Sequence, residues 1–327
     1  MIRLLRILVV SFFTTLAARV RRGPACPTWG FQFEWVVAFL RKDFDESAHW
    51  PYVRLRQDLD ARHYPSKALG QVTRETTSLG GLPAVWFRPK QARRGAILLL
   101  HGGSYIFGSI RTSHAELAAS LALLSGVPVV GIDYRLAPEH PYPAALDDAL
   151  AAFDALLQSG LAASEIVLAG DSAGGNLALS LQLRLRDRQR PQARAAVLLS
   201  PWLDLSASRP SCRARDSIDY GQTWFLLQHA RDFAGELSLD DPRISPLNAN
   251  LVGLAPLLVV IGGAERLADE GRELVEKARA SGVLAELWVA ADMPHNPPVL
   301  AAFHANAQQS LRASAQYATK LLSAQIE

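Results

Sequence analysis

From about residue 71 the chain alternates between short apolar runs and longer stretches with helical spacing. The apolar runs lie at 84–88, 96–101, 127–134, 166–171, 195–201, 257–263 and 285–290. Most are continuous rather than alternating, which is the pattern of strands buried on both faces of a parallel sheet. Between and after them, 113–124, 142–158, 173–187, 265–280 and 299–322 read as helices. Strand and helix in alternation predict a doubly wound α/β unit, with a mostly parallel central sheet flanked by helices. Two segments interrupt the alternation. Residues 1–60 read as helical, with Phe31, Phe33, Trp35 and Phe39 gathered between Gly30 and Arg41; residues 204–246 are charged and carry Pro210, Pro242 and Pro246. Long interruptions of an α/β unit are usually functional. These two are expected to form one helical cap over the carboxyl ends of the strands, where ligands bind in such sheets. That leaves 61–203 and 247–327 as the catalytic unit.

Composition narrows the classes. Of 327 residues, 49% are hydrophobic and 20% charged, which excludes a disordered or collagen-like chain. The two cysteines, Cys26 and Cys212, form no CxxC pair, so neither a zinc module nor a disulfide scaffold is expected. A net charge of +3, from 34 basic and 31 acidic residues, gives no case for nucleic-acid binding. The basic charge is uneven, however. Arg3, Arg6, Arg19, Arg21 and Arg22 flank an apolar run over 7–18, too short for a membrane-spanning helix of about 20 residues. The segment reads as an export signal, as an amphipathic helix on a membrane or a partner helix, or as a helix packed on the protein itself. Arg19, Arg21 and Arg22 directly after a cut at Ala17 or Ala18 would hinder export. The segment is therefore expected to be retained in a cytoplasmic protein, with a salt-sensitive membrane contact open to it.

The chemistry is carried by glycine-rich turns. Gly170-Asp171-Ser172-Ala173-Gly174 matches G-x-S-x-G, directly after one predicted strand and at the head of a predicted helix. That context makes a nucleophile elbow, in which a tight turn pushes the serine hydroxyl into a cleft at a helix N-terminus. The strand at 96–101 runs into His101-Gly102-Gly103-Ser104-Tyr105, a loop whose backbone N–H groups can face a developing oxyanion. Gly102, Gly103 and Ala173 are the expected oxyanion donors.

These two turns, with Tyr134-Arg135-Leu136-Ala137-Pro138-Glu139-His140-Pro141 between them, resemble the hormone-sensitive lipase family of α/β-hydrolases, the bacterial family IV carboxylesterases. The resemblance runs from roughly residue 80 to the C-terminus. It implies the α/β-hydrolase fold, a serine catalytic triad and carboxylic esters as substrates. The family loop usually reads HGGG, and Ser104 stands at its last position here. The intervening block, with His140, is read as a structural brace, as is Asp171.

In this fold the triad follows the order serine, acid, histidine. Only His229, His295 and His304 lie beyond Ser172, and His295 alone falls in a loop just after the last strand. The acid is expected after the strand at 257–263, where Gly262 to Glu270 resembles the family's G-x-x-D-x-L-x-D-E. Glu265 takes the position of the usual Asp, with Asp269 as the fallback. Ser172 is then the nucleophile, His295 the base and Glu265 its orienting acid, and no metal or organic cofactor is required. Tyr105, Trp202, Tyr220 and Trp224 are candidates for lining the substrate pocket. The expected activity is hydrolysis of short-to-medium acyl esters through an acyl-enzyme. An amidase or deacetylase with the same triad, and a ligand receptor on the same fold, are the alternatives. The expected partner is a small-molecule ester, and a homodimer is open.

Overall fold

A computed structural model describes residues 2–62 and 66–323. Met1, residues 63–65 beside the expected 60/61 junction, and residues 324–327 lie outside the described residues. Strands β1 (Val72–Leu79), β2 (Leu82–Pro89), β3 (Ala96–Leu100), β4 (Val129–Ile132), β5 (Ile166–Asp171), β6 (Ala195–Leu199), β7 (Leu257–Gly262) and β8 (Ala285–Ala290) form one sheet. Its order is β1-β2-β4-β3-β5-β6-β7-β8. β2 pairs antiparallel with β1 and β4, and every pair from β4 to β8 is parallel.

The continuous apolar runs explain the layering. Every residue of β3, β5, β6 and β7 is buried, so successive side chains feed two cores. Leu98, Leu100, Leu168 and Leu198 face helices α5 (Ala144–Gln158), α6 (Ala173–Asp187) and α9 (Ala268–Ala280), meeting Phe153, Leu177 and Leu274. Ile97, Leu99, Val167 and Val197 face α4 (Ala115–Ser125) and α10 (Ala305–Ser323), meeting Leu121, Leu311 and Ala315. Each fully buried leucine contributes about 1.5–3 kcal/mol, so these layers fix the register of the central strands.

The structure adds to the expected elements. β1 is an eighth strand that the apolar pattern does not mark: Val-Thr-Arg-Glu-Thr-Thr-Ser-Leu is a polar edge, buried only at Leu79. The expected helix 265–280 begins at Ala268, which frees Gly263 to Leu267 as a loop. The last helix begins at Ala305, after a short turn of 3-10 helix at Pro297–Leu300.

The N-terminal segment folds as α1 (Ile2–Arg22), α2 (Phe31–Ser47) and α3 (Tyr52–Asp60), and the insertion as α7 (Pro210–Ala214) and α8 (Thr223–Ala234). The two segments meet. Phe44 stacks on Tyr220 at 5.8 Å, Gln222 Nε2 donates to Asp45 Oδ1 at 2.8 Å, and Tyr52 hydrogen-bonds Asp232. Among the described residues, no helix is long and apolar enough to cross a membrane.

Candidate active site

Ser172 ends the turn out of β5 and caps α6 with φ +53 and ψ −118, a conformation L residues rarely adopt. The turn is held by backbone bonds. Ser172 N–H donates to Leu199 O at 2.8 Å, and its carbonyl accepts from Trp202 N at 3.0 Å and Asn176 N at 3.1 Å. Room is the reason for glycine beside it: a Cβ on Gly174 would lie 2.0 Å from Leu100 O.

The loop after β3 is equally tight. Gly103 has φ +118, and a Cβ there would meet Phe107 O at 2.0 Å. Gly102 departs from expectation. Its N–H donates to Asp171 Oδ1 at 3.0 Å and lies 3.2 Å from His114 Nε2, so it is not available to an oxyanion. Among the described residues, the N–H groups of Gly103, Ser104 and Ala173 have no hydrogen-bond partner. The missing third glycine of the loop thus leaves its backbone donor in place.

His295 sits in the loop after β8, and Glu265 in the loop after β7. His295 Nδ1 and Glu265 Oε2 are 3.7 Å apart, an ion-pair distance longer than a hydrogen bond. No hydrogen bond joins Ser172 to His295 among the described residues. Glu265 is fully buried, three residues before α9. Its Oε2 accepts from Ser200 Oγ at 2.5 Å and Asn296 N at 3.3 Å. Burial raises the Glu265 carboxyl, against the pull of His295. Burial would lower the His295 imidazole, but Glu265, with Asp219 and Asp171 behind it, outweighs burial and raises it above the ordinary histidine value. Asp269, the fallback acid, faces elsewhere and accepts from Ser211 N at 2.8 Å.

Three supports were given no part in the site from sequence. Asp219, from the insertion, is buried and accepts the His295 N–H at 2.8 Å and the Arg266 N–H at 2.9 Å. Ser200 bridges Glu265 and the Asn296 N–H. Asp171, read as structural, is a node between loops: it accepts from Gly102 N and from Asn296 Nδ2 at 2.7 Å, with His114 at 3.2 Å. Burial would raise the Asp171 carboxyl, yet His114 and the Gly102 N–H hold it below its usual value. Its place inside the elbow motif was the one available signal. The brace is also visible: Arg135 forks onto Asp148 at 2.7–3.0 Å, and Tyr134 OH donates to His101 O at 2.7 Å.

The four aromatic candidates separate. Tyr105 is buried, stacked on Phe233 at 3.6 Å with its hydroxyl donating to Asn176 Oδ1 at 2.9 Å. Trp202 is fully buried in the same core. Both side chains belong to this core, and Phe233 covers one face of Tyr105. Trp224 stacks on His49 at 5.1 Å and is 42% exposed. Tyr220 stands beside the histidine, its hydroxyl donating to His295 O at 2.6 Å. From it a chain of rings runs through Phe44 and Phe107 to His229.

Comparison with known proteins identifies the fold and the family. Residues 97–298 match a family model described as the alpha/beta hydrolase fold. An esterase of Acinetobacter venetianus is 34% identical over 82% of this chain and 88% of its own. An acetyl-hydrolase of Streptomyces hygroscopicus is 38% identical over 67% of this chain and 74% of its own. A hormone-sensitive lipase from a metagenome library superposes with a TM-score of 0.83 at 33% identity, covering 88% of this chain and 97% of its own. A solved esterase of the bacterial hormone-sensitive lipase family covers 97% of this chain and 98% of its own, at 31% identity and a TM-score of 0.77. With likenesses of this extent around a serine turn so built, the chain belongs to the hormone-sensitive lipase family of α/β-hydrolases.

Proposed function

We propose that this protein hydrolyses short-to-medium acyl carboxylic esters through an acyl-enzyme on Ser172. That it is a carboxylic ester hydrolase rests on its family and on the esterases it resembles. The finer reading is carried by one convergence: Ser172 at φ +53 on the head of α6, unpartnered N–H groups at Gly103, Ser104 and Ala173, and half-buried His295 beside buried Glu265 at neighbouring strand ends.

Ser172 Oγ adds to the acyl carbon while its proton passes to His295 Nε2. The carbonyl electron pair moves onto oxygen, where the N–H groups of Gly103 and Ala173, with Ser104 beside them, receive it. Glu265 stabilises the imidazolium and fixes its tautomer. The tetrahedral species collapses, and His295 protonates the departing alcohol. Water then adds to the acyl-enzyme, giving a proton to His295, and the carboxylic acid leaves as Ser172 regains its own. Closing the His295–Glu265 gap from 3.7 Å to a hydrogen bond needs a shift of under about 1 Å. The helices α1–α3 with α7 and α8 act as the cap that admits substrate, a reading supported by the Phe44–Tyr220 stack and the Tyr220 bond to His295 O.

The test is Ser172→Ala, assayed on p-nitrophenyl esters from acetyl to octanoyl and on the matching anilides. Turnover is expected to fall by about 10⁴–10⁶ with the melting temperature retained. A variant keeping more than about a tenth of wild-type turnover would remove Ser172 as the nucleophile. Anilide turnover exceeding that of the esters would overturn the substrate class.

A further inference from the structure

Helix α1 packs on the protein by its more polar side. The side chains it buries are Ile7, Ser11 and Thr15, and Ser11 Oγ accepts the Trp35 indole N–H at 3.0 Å. The opposite side carries Ile2, Leu5, Val9, Phe13, Leu16 and Val20, at three- and four-residue intervals that hold them in one stripe. Their exposure is high: 86% for Ile2, 62% for Phe13 and 81% for Val20. A helix that only covers a core turns such residues inward. An apolar stripe turned outward over 21 residues, about 30 Å, marks an interaction face.

Charge selects the occupant. α1 has five arginines and no acidic residue. A second copy laid along the stripe through its own α1 would set arginines against arginines, with no carboxylate on either helix. Arg6 and Arg22 pair with Glu46 and Glu34, yet their side chains remain 60% and 55% exposed. Arg21 is exposed and has no ion pair among the described residues. An anionic bilayer supplies both halves of the match, lipid phosphates for the guanidinium groups and an acyl boundary for the stripe. We propose that α1 lies in the plane of an anionic phospholipid surface, with its outer stripe at the acyl boundary and the exposed Arg6, Arg21 and Arg22 among the headgroups, while Arg3 and Arg19 stay paired with the protein's own carboxylates. α2, which packs on α1, carries Phe44; Phe44 stacks on Tyr220, and Tyr220 holds His295 O. Docking therefore brings the lid side of the site to the membrane.

The experiment is co-sedimentation of the full chain with vesicles of phosphatidylcholine alone or with about one-third phosphatidylglycerol. Wild-type protein is expected to partition at least about tenfold more strongly onto the anionic vesicles, and to lose most of that binding between about 0.1 M and 1 M salt. The variant Val9→Glu/Phe13→Glu/Leu16→Glu should lose at least about tenfold of the binding while its helix content and melting temperature stay those of wild type, since these side chains are on the outer stripe. Three results overturn the proposal: no binding to anionic vesicles, equal binding to neutral ones, or a triple variant that binds like wild type. A dimer by light scattering that the triple variant abolishes, without vesicle binding, would give the face to a second copy instead.

Discussion

Replacing Glu265 by glutamine removes one charge from the site and leaves its shape. Ser200 Oγ and Asn296 N keep an oxygen to donate to, so the loops after β6 and β8 should hold. What is lost is the attraction of a carboxylate for the imidazolium formed during the reaction. At 3.7 Å, and with an effective dielectric of about 20, that attraction is about 4 kcal/mol. It converts to about three powers of ten in kcat. The assay is steady-state hydrolysis of p-nitrophenyl butyrate across pH, with active serine counted by phosphonate titration. His295 must be neutral to act as base, and the wild-type pKa is raised, so activity should rise with pH along a limb lying above the ordinary histidine value of about 6.5. Without the carboxylate, that limb should move to lower pH. The raised pKa also adds stability that is complete below the unfolded histidine pKa and is lost as pH rises through the folded one. The variant should lack this pH-dependent part, while relief of a buried carboxylate offsets the loss. A kcat within about tenfold of wild type with an unmoved pH limb would show that Glu265 does not orient His295. Asp269→Asn serves as the contrast, with kcat retained, because Asp269 is occupied by Ser211.

Asp171→Ala should leave the Asn296 amide unpaired in a buried site, at about 1–3 kcal/mol, and the Gly102 N–H with only His114 Nε2 at 3.2 Å; a fall in kcat of about 10² with little change in KM is expected, and unchanged kcat would refute the coupling of the two loops. Gly103→Ala should nearly abolish activity, since its Cβ would meet Phe107 O at 2.0 Å at a φ of +118; an active, folded alanine variant would show that the loop can be rebuilt. Tyr105→Phe should cost about 0.5–1.5 kcal/mol through the lost bond to Asn176, read as a lower melting temperature, and leave KM unchanged; a KM shift without destabilisation would return Tyr105 to the pocket.

The sequence alone determined whatever depends on neighbours along the chain. Apolar runs marked seven of the eight strands; for β3 to β7 the reason is burial on both faces, which needs apolar side chains at nearly every position. Glycines marked the two turns, because a Cβ has no room where strand ends meet. Chain order and loop position brought His295 forward, the family resemblance brought Glu265, and the structure sets them 3.7 Å apart. The tertiary structure decided what depends on partners far along the chain. β1 has no apolar pattern, for its hydrogen bonds to β2 hold it and its faces are largely exposed. Gly102 lost its place among the oxyanion donors to a carboxylate 69 residues away, and Asp219 reached His295 across 76. Tyr105 and Trp202 became core, a matter of what packs over them rather than of their type. The spacing of α1 defined an apolar stripe, but only the packing of Ser11 and Thr15 inward shows that the stripe faces out. Periodicity records which residues share a face; which face is covered is set by the segments that happen to fold against it.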